Sequence, residues 1–114
     1  MATLNPQQII APQHVANATT TYYTVGANSI TVVRRITLSN VTAGAITVDF
    51  YYVPVSGAAG ISNQFLKSYS IAANTSVAPA VLEGIVLEAG DTIQISASAA
   101  NSITVIGSGT EVSG

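Results

Sequence analysis

The sequence predicts an all-β protein: an antiparallel β-sandwich, jelly-roll-like, of about eight strands, with an extended N-terminal arm. Three observations lead there. Runs rich in Val, Ile, Thr, Tyr and Phe recur with turn residues every ~8–12 positions, the spacing of a sandwich or barrel. Inside those runs apolar and polar residues alternate with period two, as on a half-buried sheet. No segment carries apolar residues at helical spacing. The 114 residues suit one domain, within the usual range of ~50–250.

Taken in order, residues 1–18 read as the arm and 19–114 as the sandwich. The arm holds Pro6, Pro12, Gln7, Gln8 and Gln13, with a short apolar patch at Ile9 and Ile10. Two prolines and no periodicity favour an extended path. Residues 20–25 are β-branched and aromatic, and Gly26-Ala27-Asn28 turns the chain. Strands are expected over 30–39 and 45–53, joined by a loop at 40–44. Residues 54–62, with Gly57 and Gly60, read as a surface loop. Residues 65–71 alternate, setting Phe65, Lys67, Tyr69 and Ile71 against Leu66, Ser68 and Ser70. Ala73-Asn74 turns into 75–82, which Pro79 demotes to an edge or bulged strand. A brief apolar piece spans 84–87. A last hairpin joins 91–98 to 102–106 through Ala99-Ala100-Asn101, pairing Ile103 and Val105 with Ala97 and Ile95.

Alternation also assigns faces. Ile46, Val48, Phe50 and Tyr52 point one way, Thr47, Asp49 and Tyr51 the other. Pairing Leu38 with Ile46 and Ile36 with Val48 sets Arg35 opposite Asp49, a cross-strand ion pair worth about 0.2–1 kcal/mol. Arg34 then falls on the face of Ile36. Either it lies at the mouth of the sandwich with its head in water, or a bulge near Val33 turns it outward, and the bulge is favoured.

Only 7% of residues are charged, against ~25% in an ordinary soluble domain. Such a surface suits contact with protein, since interface cores are depleted of charge. The net charge of −2 offers no footprint for nucleic acid. The apolar runs fall far short of the ~20 residues that cross a bilayer, and the start lacks the pattern of a signal peptide. Cytoplasmic synthesis is therefore expected. The sequons at Asn17, Asn40 and Asn74 read as accidents of a Thr- and Ser-rich composition.

Catalytic chemistry finds no footing, so no enzyme is expected. His14 is the sole imidazole and has no acidic or thiol neighbour in sequence. With no Cys, thiolate metal sites and redox chemistry drop out. No Ser has the G-x-S-x-G setting of a hydrolase, and Gly107-Ser108-Gly109 reads as a loose strand end or bulge. Glu88 and Asp91 bracket a turn but supply too few oxygens for Ca²⁺, so Asp91 is expected to bond local backbone. Arg34 and Arg35 make no anion patch unless a bulge intervenes. Neither cofactor nor metal nor small-molecule substrate is expected. Tyr52 reads as core, while Tyr23 and Tyr51 are candidate interface anchors.

The run VVRRITLSNVTAGAITVDFYYVP at 32–54 and the run VLEGIVLEAGDTIQISASAANSITVIGSGTEV at 81–112 resemble small β-sandwich virion proteins of tailed bacteriophages. The resemblance spans residues 30–112 and rests on turn grammar rather than chemistry. It implies a structural protein at the capsid surface of a virion. As a homotrimer, it would decorate and cement that surface across capsomer junctions of the major capsid protein. The arm, through Ile9, Ile10 and Pro12, would dock on neighbours by strand addition. A tail, neck or baseplate adaptor, or a fibre base, is the alternative. A carbohydrate-binding module for host-surface recognition is a third reading, weakened by the absence of Trp.

Overall fold

A computed structural model of the chain describes residues 3–113; Met1 and Ala2 of the expected arm, and Gly114, lie outside the described residues. Among the described residues nine strands form: β1 (Thr3–His14), β2 (Thr20–Thr24), β3 (Ser29–Asn40), β4 (Ile46–Val53), β5 (Gln64–Ile71), β6 (Ser76–Val77), β7 (Val86–Leu87), β8 (Thr92–Ala97) and β9 (Ile103–Ser113). A 3-10 turn at Ala80–Leu82 separates β6 from β7. Sheet A has the order β1-β9-β3-β6, with β7 also on β3, and sheet B the order β2-β8-β4-β5. Apart from the β4–β5 pair and the split strand β6/β7, each successive strand changes sheet. This is the antiparallel jelly-roll sandwich.

The core follows the alternation. Val33, Ile36 and Leu38 of β3 and Ile103 and Val105 of β9 point inward from sheet A. Val48, Phe50 and Tyr52 of β4 meet them from sheet B with Ile93, Ile95 and Ala97 of β8. Tyr52 is buried as expected, and its hydroxyl donates to the Leu82 carbonyl at 2.8 Å. Burial pushes that phenol's pKa up. Asn28, Asn74 and Asn101 adopt positive φ at the three anticipated turns, a conformation Asn tolerates better than most residues.

Faces were legible from alternation, but partners were not. Residues 36–38 do not pair with 46–48, because β3 lies in sheet A and β4 in sheet B. The expected Arg35–Asp49 ion pair is therefore absent: the two side chains point outward from opposite sheets. The expected β8–β9 hairpin fails for the same reason, since β8 pairs with β2 and β4 while β9 pairs with β1 and β3. Alternation says which side of a strand meets the core, and a five-residue loop can either close a hairpin or cross the ~10 Å to the other sheet.

The crossing at 41–45 has a visible fastener. Asn40, 2% exposed, donates through Nδ2 to the carbonyls of Gly44 at 2.8 Å and Ile71 at 2.9 Å. Its Oδ1 accepts from the Thr42 backbone N–H at 2.9 Å and the Thr42 hydroxyl at 2.7 Å. All four hydrogen-bonding positions of the amide are filled. The sequon at Asn40 is thereby closed to a glycan.

Residues 3–14, read as part of an arm, are extended, but as strand β1 paired along β9 from Thr3–Ser113 to His14–Thr104. Register shifts between Gln8 and Ile10 and between Ile10 and Gln13 erase its period. They also let consecutive residues Ile9 and Ile10 both enter the core. The neighbouring strand makes room. A Cβ on Gly107 would stand 2.8 Å from Ile36 Cδ1 and 3.3 Å from Ile10 Cβ, and one on Gly109 2.6 Å from the Val32 carbonyl oxygen. The stretch expected to be a loose strand end or bulge lies within a central strand, at the register shifts of both its neighbours, with glycines where they press closest.

A further departure lies in β5. Val48 faces Tyr69 but Phe50 faces Leu66, so one extra residue bulges near Ser68, whose φ is +48°. Leu66 turns inward with Ile71, which breaks the strict alternation expected over 65–71.

Candidate interaction surface

The two outer faces of the sandwich differ in chemistry. On sheet B, Thr21 lies opposite Gln94 and Gln94 opposite Tyr51. Gln64 donates to Asp49 Oδ1 at 3.2 Å and to the Tyr51 hydroxyl at 3.4 Å. Asp49 also accepts from the Ser68 backbone N–H at 2.7 Å. It secures the β5 bulge, not an arginine.

Sheet A carries the unusual surface. Thr31, Val33 and Gly109 are buried, so alternation sends Ile30, Val32, Thr110 and Val112 outward. Cross-strand pairing then aligns them in rows. Leu4 lies opposite Val112, and Val112 opposite Ile30; Pro6 lies opposite Thr110, Thr110 opposite Val32, and Val32 opposite Val86. Leu4 is 68% exposed, Val86 55% and Ile30 38%. Residues paired in this way share a face and touch. The result is a contiguous apolar field over β1, β9, β3 and β7, and such fields mark contact sites on soluble proteins.

Next to it the register of β3 shifts between Val33 and Arg35, the bulge favoured from sequence. Arg34 and Arg35 are consequently both exposed. They line one shallow groove of about 560 Å³ with Pro6, Gln8, Ile106 and Ser108. Two of the three basic residues in the chain thus gather on this face. Arg35 Nε lies 3.6 Å from Glu83 Oε2, a pair open to solvent and therefore of little weight for stability. Arg34 has no ion-pair partner among the described residues.

The candidate anchors read from sequence are dispersed. Ile9 and Ile10 are core residues and cannot grip a neighbour. Pro12 is exposed on β1, an outer strand of sheet A. Tyr23 is half-buried, and its hydroxyl shares a 2.6 Å hydrogen bond with Thr31 Oγ1. Tyr51 is half-buried on sheet B. Asp91 accepts from the Glu88 and Val55 backbone N–H groups at 2.9 and 3.0 Å, the turn role expected of it. Among the described residues, no three His, Asp or Glu gather to hold a metal ion, and no helix is long and apolar enough to cross a membrane.

Leu4, Ile30 and Val86 were missed because their alignment depends on strand order. One signal was available: once a bulge is set at Arg34, Thr31 and Val33 face the core, and Ile30 and Val32 must face out.

The fold has known counterparts. No protein family and no curated protein sequence matches the chain. Among solved structures, it is similar to a protein of the Bacillus endospore appendages, described as a family of disulfide-linked pili. That likeness has a TM-score of 0.53 at 17% identity and covers 97% of this chain and 88% of the other. It is also similar to part of a chain from infectious bursal disease virus, Gx strain, with a TM-score of 0.58 at 12% identity. There it covers 98% of this chain but spans 32% of the viral one. At these identities the likeness is one of fold.

Proposed function

We propose that this chain is a structural subunit that assembles on the outside of a particle through the outer face of sheet A. The observation that carries the reading is the apolar field of Leu4, Ile30, Val32, Val86 and Val112 on a chain of which only 7% of residues are charged. Burying it against protein removes apolar area from water at about 25 cal/mol per Å². Similar folds in a pilus and a virus support the assembly role. With no Cys, this chain would be held by packing rather than by the disulfides described for the pili. The sequence resemblance to phage virion proteins makes a tailed-phage capsid the preferred location, with the subunit cementing capsomers as a homotrimer.

The test is copy number in the purified source particle, by quantitative mass spectrometry against the most abundant shell protein. About one chain per shell subunit supports capsid decoration. A few per hundred moves it to the tail or neck, and absence from the particle refutes the reading.

A further inference from the structure

We infer that the groove beside the β3 bulge is a carboxylate receptor. An extended segment of a different protein of the particle lies along it, with an Asp or Glu on Arg34 and an apolar residue two positions away on the neighbouring apolar field. The inference rests on the assembly reading and names the chemistry of the partner.

Two bulges at one level build the groove. β3 shifts register between Val33 and Arg35, and β1 between Gln8 and Ile10, so both neighbours of β9 carry an extra residue next to Ser108. On β1 the consecutive pair Ile9 and Ile10 turns inward. On β3 the consecutive pair Arg34 and Arg35 is exposed. Between them β9 supplies Gly107, Ser108 and Gly109, of which only Ser108 is exposed. One small side chain thus floors a trough with the two arginines on one wall and Pro6 and Gln8 on the other. Its volume of about 560 Å³ falls within the ~300–1,000 Å³ of ligand sites.

Its chemistry is one-sided. Arg34, Arg35, Gln8 and Ser108 bring hydrogen-bond donors, and among the described residues no carboxylate lines the trough. Glu83 stands 3.6 Å from Arg35 Nε, which leaves Arg34 as the cation without an ion-pair partner among the described residues. A guanidinium is a planar fork that takes a carboxylate or a phosphate through two parallel hydrogen bonds. The surroundings decide between them. A duplex carries one charge per ~1.7 Å of its axis and is held by many cations at once. This face has two, one of them already paired, on a chain of net charge −2. A single carboxylate among apolar side chains matches it.

The rows of the sheet set the spacing. Gln8, Ser108 and Arg35 form the outward row next to that of Pro6, Thr110, Val32 and Val86. The two rows lie two β9 residues apart, about 6–7 Å. An extended segment laid along β9 repeats its side chains on one side with the same period. An acidic residue on Arg34 therefore carries its neighbour two positions away over Val32 and Thr110, and the next over Ile30, Val112 and Leu4.

A second copy of this chain fits the groove poorly. Asp49 and Asp91 accept backbone hydrogen bonds, Glu83 pairs with Arg35 and Glu111 is half-buried, so Glu88 is the exposed carboxylate it could offer. A copy turned by a two-fold through Val32 and Val86 to bring Glu88 to Arg34 sets the Leu4–Val112–Ile30 row over the Gln8–Ser108–Arg35 row. Apolar then meets polar. A segment of different sequence has no such conflict.

The experiment places an amine in the groove. Lys67, on β5 of sheet B, is the sole lysine of the parent. Source particles carrying the parent, Arg34→Lys or Arg34→Gln, each first confirmed as folded by circular dichroism of the free chain, are treated with a carbodiimide. The reagent condenses an amine with a carboxylate in contact with it, and mass spectrometry of the digest reads the joined peptides. We expect Arg34→Lys to join position 34 to an Asp or Glu of another particle protein, with an apolar residue two positions from it. Arg34→Gln should lower copy number in the particle at least about fivefold, since a hydrogen bond to a charged group is lost. Arg34→Gln at parental copy number, or Arg34→Lys present without a cross-link from position 34, would overturn the inference and leave assembly standing. So would a cross-link to Glu88 of another copy, which makes a second copy the occupant, or release of the parent by nuclease, which assigns the groove to nucleic acid. Absence of the parent from the particle would instead remove the assembly reading, and the inference with it.

Discussion

Replacing Asn40 with Ala tests what holds the crossing between the sheets. The side chain is 2% exposed and makes four hydrogen bonds, to the Gly44 and Ile71 carbonyls and from the Thr42 N–H and hydroxyl. Gly44 is exposed and Thr42 half-exposed, so water replaces the amide there and each lost bond costs only about 0.5–1 kcal/mol. Ile71 is fully buried, and its carbonyl loses a partner no water can replace, at about 1–3 kcal/mol. The sum is about 2.5–6 kcal/mol, a large share of the 5–15 kcal/mol of a typical domain. Unfolding entropy of about 2.1 cal/mol/K per residue over 114 residues makes each kcal/mol worth about 4 °C, so Tm falls by about 10–25 °C. Calorimetry reads the shift, and urea melts should move in midpoint without a change in slope. Asn40→Asp separates hydrogen bonding from volume. It sets a carboxylate oxygen against two carbonyls, which raises the folded-state pKa of the new Asp above its unfolded value. That variant therefore comes closest to the parent at low pH and weakens as pH rises through the raised value. An Asn40→Ala Tm within 3 °C of the parent would refute this account of the corner.

Other substitutions probe other parts of the frame. In thermal melts, Gly109→Ala should destabilise more than Gly107→Ala. The new Cβ meets the Val32 backbone oxygen at 2.6 Å in the first case and the movable Ile36 Cδ1 at 2.8 Å in the second, whereas Gly60→Ala, with open space around it, stays near the parent. Overpacking of this kind costs about 1–3 kcal/mol. Tyr52→Phe removes the hydroxyl bond to Leu82 and should lower Tm by about 4 °C, for about 1 kcal/mol. Because burial raises the Tyr52 pKa above the ordinary phenol value of 10.0, its protonated form favours the fold fully below that pH. The contribution is lost as pH climbs past it, so alkaline melts of Tyr52→Phe should fall less steeply than those of the parent. Asp49→Ala frees the Ser68 N–H at the β5 bulge and should cost about 1–2 kcal/mol. Arg35→Ala, at a solvent-open ion pair, should change urea midpoints hardly at all.

Physical reasons divide what the sequence revealed from what it hid. Strand positions, the inward faces of β3, β4, β8 and β9, and the Asn turns depend on neighbours within the chain, where period and backbone preference act. The β3 bulge was legible because without it Arg34 would share the inner face of Ile36. The expected hairpins failed because strand order is decided by three-dimensional closure of the sandwich and by the amide of Asn40 at one corner. β1 escaped notice because two register shifts and two prolines disguise an outer strand that borrows its packing space from Gly107 and Gly109. The apolar field could not be seen as one surface while its members sat on four strands of unknown order. Ile9 and Ile10, the most apolar part of the supposed arm, proved to be core for the same reason.

The central claim is that the outer face of sheet A is what this chain buries when it assembles. Hydroxyl-radical footprinting of the source particle against the dilute free chain tests it residue by residue. The account predicts that Leu4, Ile30 and Val86 lose most of their labelling in the particle, while Ile61, 86% exposed on the loop that joins β4 and β5 of sheet B, keeps its own. Equal labelling of Leu4, Ile30 and Val86 in both states would contradict it.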